Sequence, residues 1–568
     1  MIRGESGVLF PLQSGLSVHE FFSAFQPMNE PNCRRNIRPD DRMLISLALA
    51  TMLIHFLSNG GYGYFRDELY SIACSKHLAW GYVDQPPFSE FVLALSGRLL
   101  GYSLFALRLL PAVCGGLVVF LVGLVARELG GARFAQALAV TAFIIGGVYL
   151  AIDNYYSMNC FDHLFWALAI YLLVRILKRG DTRLWVLFGL VAGLGLENKY
   201  SMGFLGLGLI VGLLLTPARR HFLEKWLWVG GTVAALIFLP HVLWEVRNHF
   251  PTAEFMHNVI IKKNLPMTPW AFLSECALQV HPFTFPIWMA GFIYLVRGSK
   301  SEGRSQGAHL RTPGRGPQTS DCGLAFSREG RKFQSLGWIC LAVLAILVST
   351  NSKPYYFAPA FLILLPAGAV AIEAFIARHN WNWVKPAYLS ALALGGILAA
   401  PTALPIAPPE TFIRCQDRLG IKLRSGERGD NPSRLQQMYA DMFGWPEMVA
   451  QMAQIYNHLS PEDKADCVIG ASNYGEAGAI DFMGKQYGLP NAISRHNNYW
   501  YWGPGNKPGK ILLVIGGSTE DYDCLYENVQ QVATFTNPYA YESGAPIFLR
   551  RKPKHTLQEV WPNIHNFT

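Results

Sequence analysis

The stretch MLISLALATMLIHFLSNGGYGYFRDELY, from Met43 to Tyr70, governs how the rest of the chain is read. From Met43 to Phe65 it carries no charged residue, and a bilayer-crossing helix needs roughly 17–25 such positions. Three charged residues, Arg66-Asp67-Glu68, follow at once. The same pattern recurs downstream. Uncharged runs cover Leu109–Ala126, Phe134–Ile152, Tyr200–Pro217, Trp226–Trp244, Cys276–Val296, Phe333–Ser352, Pro354–Ile372 and Pro386–Pro409. His163–Val174 and Leu184–Leu196 join them when neighbouring residues are included, which makes about eleven expected spans in the 568 residues. The runs are continuously apolar, whereas a membrane β-barrel needs short alternating segments. With 51% hydrophobic and only 15% charged residues, against about 25% charged in ordinary soluble domains, the chain is neither a soluble enzyme nor a disordered one.

The formal net charge of +9 raises the question of nucleic acid, and the placement of the charges answers it. Basic residues cluster at Arg34/Arg35/Arg38/Arg42, Arg127/Arg133, Arg175/Lys178/Arg179/Arg183, Arg219/Arg220/Lys225, Arg297–Lys332 and Arg378/Lys385. With eleven spans all six clusters fall on the side of the N-terminus, and the positive-inside rule makes that side cytoplasmic. The charge therefore reports topology in an inner (plasma) membrane, and no nucleic acid partner is expected. Residues 1–42 read as a cytoplasmic segment without the apolar core of a secretion signal, part of it an upstream extension with no fold of its own. Residues 43–409 read as the transmembrane part, with an outward loop at 66–107 and a basic cytoplasmic loop at 297–332. Residues 410–568 read as an outward mixed α/β domain, with strands at Asp466–Ser472 and Lys510–Gly516 and helices at Leu435–Leu459 and Glu476–Tyr487. The ten cysteines show no metal-binding spacing. Cys415, Cys467 and Cys524 lie in the tail, where one disulfide and buried free thiols are both open readings.

Polar residues gather at the outer ends of the spans. Asp67 and Glu68 stand where a helix meets water, and a carboxylate there reaches a substrate held at the bilayer surface. The competing reading is that they favour a helix start by opposing its dipole. Trp80-Gly81-Tyr82-Val83-Asp84-Gln85-Pro86-Pro87 follows, then Phe88–Leu100, which reads as a helix lying in the membrane interface. Asp162 sits near the outer end of a span, where an ionisable residue is costly and suggests function, with helix capping as the alternative. Asp153 reads more simply as a solvated loop acid. Lys199 and Lys353 are outward cations on the side that the positive-inside rule disfavours; an anionic headgroup such as a lipid phosphate is their natural partner, with local ion pairing or snorkelling as the alternative. Arg66 carries the same ambiguity. The outward-loop histidines His241, His249, His257 and His281 lack metal-ligand spacing.

On Tyr64–Tyr70, Gly81–Pro87, Asp162–Trp166 and Asn351–Pro359, the chain resembles the polytopic GT-C glycosyltransferases of family 39, which include protein O-mannosyltransferases and aminoarabinose transferases. The resemblance covers about Met43 to Leu404. It implies a mainly α, membrane-embedded GT-C fold and transfer of a sugar from a polyprenyl-phosphate donor on the outer membrane face, usually with inversion. It implies Asp67 as general base, with Glu68 beside it. Asp162, and less closely Asp153, would bind the acceptor or a divalent metal. Lys199 and Lys353 would contact the lipid phosphate, with Arg66, Tyr82, Gln85 and Tyr356 among the substrate-binding side chains. Protein, glycolipid and polysaccharide acceptors all remain open. The residues fit such chemistry independently: a carboxylate accepts the proton of a poor hydroxyl nucleophile, and fixed cations stabilise charge on a departing phosphate. A transporter or flippase is the second reading, and a non-catalytic envelope sensor the third. No internal repeat of the kind common in transporters is evident, and an outward tail of this length is unusual in a carrier.

Overall fold

Every apolar run picked out above contains helix, but the helices are unequal in length and some stop short of the run's end. The computed structural model describes residues 38–297, 332–420, 433–518 and 525–568. The expectations for residues 1–37, for most of the basic 297–332 loop and for Cys524 lie outside the described residues. By length and apolarity, six helices suffice to cross a bilayer: Pro39–Ser58, Leu104–Glu128, Met158–Arg179, Lys225–Arg247, Pro354–His379 and Val384–Thr402. Ser201–Leu214 and Pro217–Leu223, bent by 110° at Leu215-Thr216, make a seventh if they act as one span. Arg133–Ile144, Leu184–Leu196 and Gln334–Ser349 are shorter. The run Cys276–Val296 is broken by a 3-10 turn at Pro282–Thr284 between Pro269–Val280 and Phe285–Arg297. The prolines after His281 explain the break, since proline cannot donate to the helix ladder. Length and apolarity thus support six or seven crossings among the described residues; the expected eleven would need the short and broken helices as well.

The bundle is held by close backbone approach, as expected where lipid removes any hydrophobic gain from helix pairing. A Cβ on Gly368 would stand 1.8 Å from the Ile287 carbonyl oxygen, and one on Gly291 would stand 2.1 Å from that of Leu364. Only glycine lets these two helices touch. Residues 43–568 form one compact unit.

The tail carries a five-stranded sheet: β1 (Cys467–Ala471), β2 (Ala492–Ile493), β3 (Ile511–Ile515), β4 (Tyr526–Thr534) and β5 (Pro546–Pro553), in the order β2-β1-β3-β5-β4. β1 runs parallel to β2 and β3, and β5 runs antiparallel to β3 and β4. The expected strands at 466–472 and 510–516 are β1 and β3, both wholly buried, as parallel strands covered on both faces should be. The expected helix 435–459 is divided: Gly444, at φ +87°, separates Gln437–Ala440 from Trp445–Asn457. Cys467 is buried in β1 and Cys415 is exposed, and both are free thiols.

Two parts of the outward-loop region shape the site. Phe88–Leu100 is helical over the whole expected range and leaves Phe91, Leu95, Leu99 and Leu100 exposed. The helix Arg66–Lys76 contributes Leu69, Tyr70, Ala73 and Cys74 to the same apolar core as Met448, Ile469, Ile480 and Leu513 of the tail. The tail therefore packs directly on the segment that holds the acidic pair.

Candidate active site

The two adjacent acids have different surroundings. Glu68 is fully buried and its carboxylate is engaged on both oxygens. The Phe65 backbone N–H donates to Oε2 (2.8 Å), which caps the helix start. Arg108 donates through Nε to Oε1 (2.9 Å) and through Nη2 to Oε2 (2.8 Å), and the Tyr156 N–H donates to Oε1 (2.9 Å). Arg108 is itself fully buried and also donates to the carbonyls of Asn59 and Gly63. Glu68 is thus occupied in fastening the loop to the Leu104–Glu128 helix. Asp67, one position earlier and half-buried, accepts from the Tyr474 hydroxyl at 3.0 Å.

Around Asp67 stands a second carboxylate that the sequence reading passed over. Asp84 accepts from the Tyr70 hydroxyl at 3.1 Å. Burial, with a contribution from the nearby Asp67 charge, pushes the Asp84 carboxyl up to about 6. Lys263 faces Asp84 and His496 electrostatically. Burial pushes His496 down to about 3, with Lys263 adding to the effect. A neutral His496 fits its contacts, Nδ1 accepting from the Tyr474 N–H (3.3 Å) and Nε2 facing the Thr568 carbonyl (2.8 Å).

A cationic centre lies on the bundle side. Lys199 donates to Asn159 Oδ1 at 2.6 Å and lies 3.8 Å from Asp162 Oδ2. Asp162, in the second turn of Met158–Arg179, also accepts from the Ser201 hydroxyl. The Lys199 ammonium sits 4.9 Å from the Tyr356 ring centroid and 5.5 Å from that of Tyr355. Both tyrosines belong to the 3-10 helix Pro354–Ala360, which Lys353 precedes. Tyr155 and Tyr355 both lie within electrostatic reach of Asp67.

The other candidate residues have separate engagements. Arg66 lies 3.5 Å from Asp441 and over the rings of Tyr474 and Tyr541. Tyr82 is fully buried and its hydroxyl donates to the Cys74 and His77 carbonyls at 3.2 and 3.3 Å, closing the end of the Arg66–Lys76 helix. Gln85 donates to Glu90 at 2.6 Å inside the loop. Asp153 is buried against Gly115 of the bundle. Among the described residues, no three His, Cys, Asp or Glu side chains group as a metal ion would require. Tyr474, His496 and Asn498 were invisible in the sequence because only the fold of the tail brings them to the loop; Asp84 carried a local signal, standing in the aromatic and proline-rich stretch beside the acidic pair.

Against known proteins, residues 84–244 match the family described as dolichyl-phosphate-mannose-protein mannosyltransferase. Asp67 and the tail lie outside that match. The lipopolysaccharide core galacturonosyltransferase RgtA of Rhizobium johnstonii is 28% identical over 184 residues, 31% of this chain and 36% of that protein. RgtB of the same organism is 26% identical over 225 residues, 39% of this chain and 44% of that protein. The match thus spans less than half the length of each of these curated relatives. The crystal structure of ArnT from Cupriavidus metallidurans bound to undecaprenyl phosphate superposes with a TM-score of 0.55 at 16% identity, over 89% of this chain and 97% of that one. At that identity the likeness is one of fold. The family match, the curated relatives and the shared fold all agree with the resemblance read from the motifs.

Proposed function

We propose that the protein transfers a sugar from a polyprenyl-phosphate donor to an acceptor hydroxyl at the outer face of the inner membrane, with inversion and with Asp67 as general base. With all eleven apolar runs taken as crossings, the basic clusters support a cytoplasmic N-terminus and a tail outside. The observation that carries the reading is the pair of centres: Asp67 under the Tyr474 hydroxyl at 3.0 Å, and Lys199 over the Tyr356 and Tyr355 rings at 4.9 and 5.5 Å. A base and a cation on separate elements suit a single displacement. The acceptor oxygen bonds to the anomeric carbon, its proton passes to Asp67, and the bond to the phosphate oxygen breaks. Lys199 meets the charge on the departing phosphate, and Lys353 supports it from the preceding turn. Tyr355 and Tyr356 line the path between the two centres. Fixed charges of this kind need no reorganisation when the charge develops. Glu68 has a supporting part, since its ion pair with Arg108 sets the helix start from which Asp67 projects.

A glycolipid acceptor is the reading we favour, because both curated relatives are named for transfer to a lipopolysaccharide core. The test is direct. Protein in nanodiscs is offered a panel of polyprenyl-phosphate sugars with core glycolipid, and products are read by mass spectrometry. Release of free polyprenyl phosphate with a sugar-sized gain on the glycolipid, lost in Asp67→Asn, is the expected result. No release from any donor by folded protein would overturn the reading and favour a carrier.

A further inference from the structure

We propose that Tyr474, carried by the tail, is a positioning residue for the Asp67 base, so that the active site is complete only when the tail is docked. The proposal rests on the reading of Asp67 given above. Its ground is a set of contacts between the tail and the first outward loop. The Tyr474 hydroxyl donates to Asp67 Oδ1 at 3.0 Å. The ring is held on three sides, 4.6 Å from Tyr70, 4.9 Å from His496 and 5.7 Å from the Arg66 guanidinium. Its backbone N–H is fixed on His496 Nδ1 at 3.3 Å. A tyrosine so enclosed presents its hydroxyl from one direction only.

The approach of the two helices is built for this contact. Tyr474–Met483 packs on Arg66–Lys76 through two glycines. A Cβ on Gly475 would stand 2.3 Å from Arg66 Cγ, and one on Gly478 would stand 2.8 Å from the Leu69 carbonyl oxygen. Larger residues would push the helices apart and draw the hydroxyl off the carboxylate.

The neighbouring carboxylate is held from the tail in the same way. The Asn498 N–H donates to the Tyr70 hydroxyl at 3.3 Å, and that hydroxyl donates to Asp84 at 3.1 Å. Asn498 Oδ1 also accepts from the Val83 N–H at 2.7 Å, next to Asp84. Both loop acids are thus oriented by a tyrosine hydroxyl that the tail sets. A hydroxyl bond of this kind fixes the direction in which a carboxylate faces, which is the orientation a general base needs.

The test uses the full chain in nanodiscs and measures initial rate against donor concentration for wild type, Tyr474→Phe, Gly478→Ala and Asp67→Asn, with a thermal melt for each. In Tyr474→Phe, kcat is expected to fall roughly 10- to 100-fold, the worth of a hydrogen bond to a charged group. The KM for the donor should change little. Gly478→Ala keeps the hydroxyl but displaces it, and should lower kcat in the same way with the donor KM unmoved; it carries the test if Tyr474→Phe does not fold. Unchanged kcat in the folded variants, or a loss that falls on the donor KM, would mark Tyr474 as structural only and overturn the proposal. With Asp67→Asn inactive, that outcome removes the role of Tyr474 and leaves the base in place. Full turnover by Asp67→Asn would remove both.

Discussion

Glu68 and Arg108 face each other in a two-pronged ion pair, at 2.8 and 2.9 Å, with both side chains closed off from solvent. Removing one member leaves the other charge buried, which typically costs about 3–5 kcal/mol. Glu68→Gln and Arg108→Met are each expected to lower the melting midpoint sharply, read by intrinsic tryptophan fluorescence in detergent. The adjacent Asp67→Asn should leave that midpoint in place.

Asp67→Asn is expected instead to abolish chemistry. General-base contributions run to about 10²–10⁴-fold, and transfer should fall by that order while the protein inserts and melts as wild type. Near-normal turnover in a quantitative mass-spectrometric assay would remove Asp67 as the base.

Lys199→Ala should raise the KM for the lipid donor by roughly tenfold or more, since hydrogen bonds to charged groups are worth about 1.5–3 kcal/mol. The KM for the acceptor should change less. Lys353→Ala should act in the same direction. Unchanged donor saturation in both variants would sink their phosphate role.

Glu90 supplies a pH signature separate from catalysis. It is fully buried, accepts from Gln85 at 2.6 Å and Ser71 at 3.1 Å, and burial pushes its carboxyl from the ordinary 4.5 to about 8. A carboxyl raised on folding stabilises the protein below its unfolded value, and that contribution is lost as pH rises through the folded value. Stability should therefore decline from about pH 4.5 to about pH 8. Asp84, raised to about 6, adds a decline of the same sign lower in the range. Melting curves across pH should show this slope in wild type and a flatter one in Glu90→Gln.

The sequence made the bundle legible because bilayer-crossing segments announce themselves as uninterrupted apolar runs. Phe88–Leu100 could be read to its ends because Pro87 opens it and Gly101, at φ +76°, closes it. The β4–β5 hairpin was missed: Tyr526–Thr534 is a mostly polar edge strand with little apolar alternation to mark it. In the candidate site, the motif drew attention to the first outward loop but could not apportion its side chains. Tyr82 and Gln85 look like surface polar groups in sequence, yet each turns inward to satisfy a buried partner, and that choice is made by packing. Asp67 and Glu68 are neighbours, but a helix start sends one to the cap and the other to the opposite side. Of the two readings weighed for the pair, the helix start belongs to Glu68, and the chemistry is proposed for Asp67 alone.

The contact between Asp67 and Tyr474 joins positions 407 residues apart. Chains are made at roughly 5–20 residues per second, so some 20–80 s separate synthesis of the first member from that of the second. Through that interval the nascent chain holds Asp67 in its outward loop without the hydroxyl that donates to it. On the role proposed for Tyr474, translation itself delays activity: a half-made chain is an unfinished catalyst, and a chain released early stays impaired.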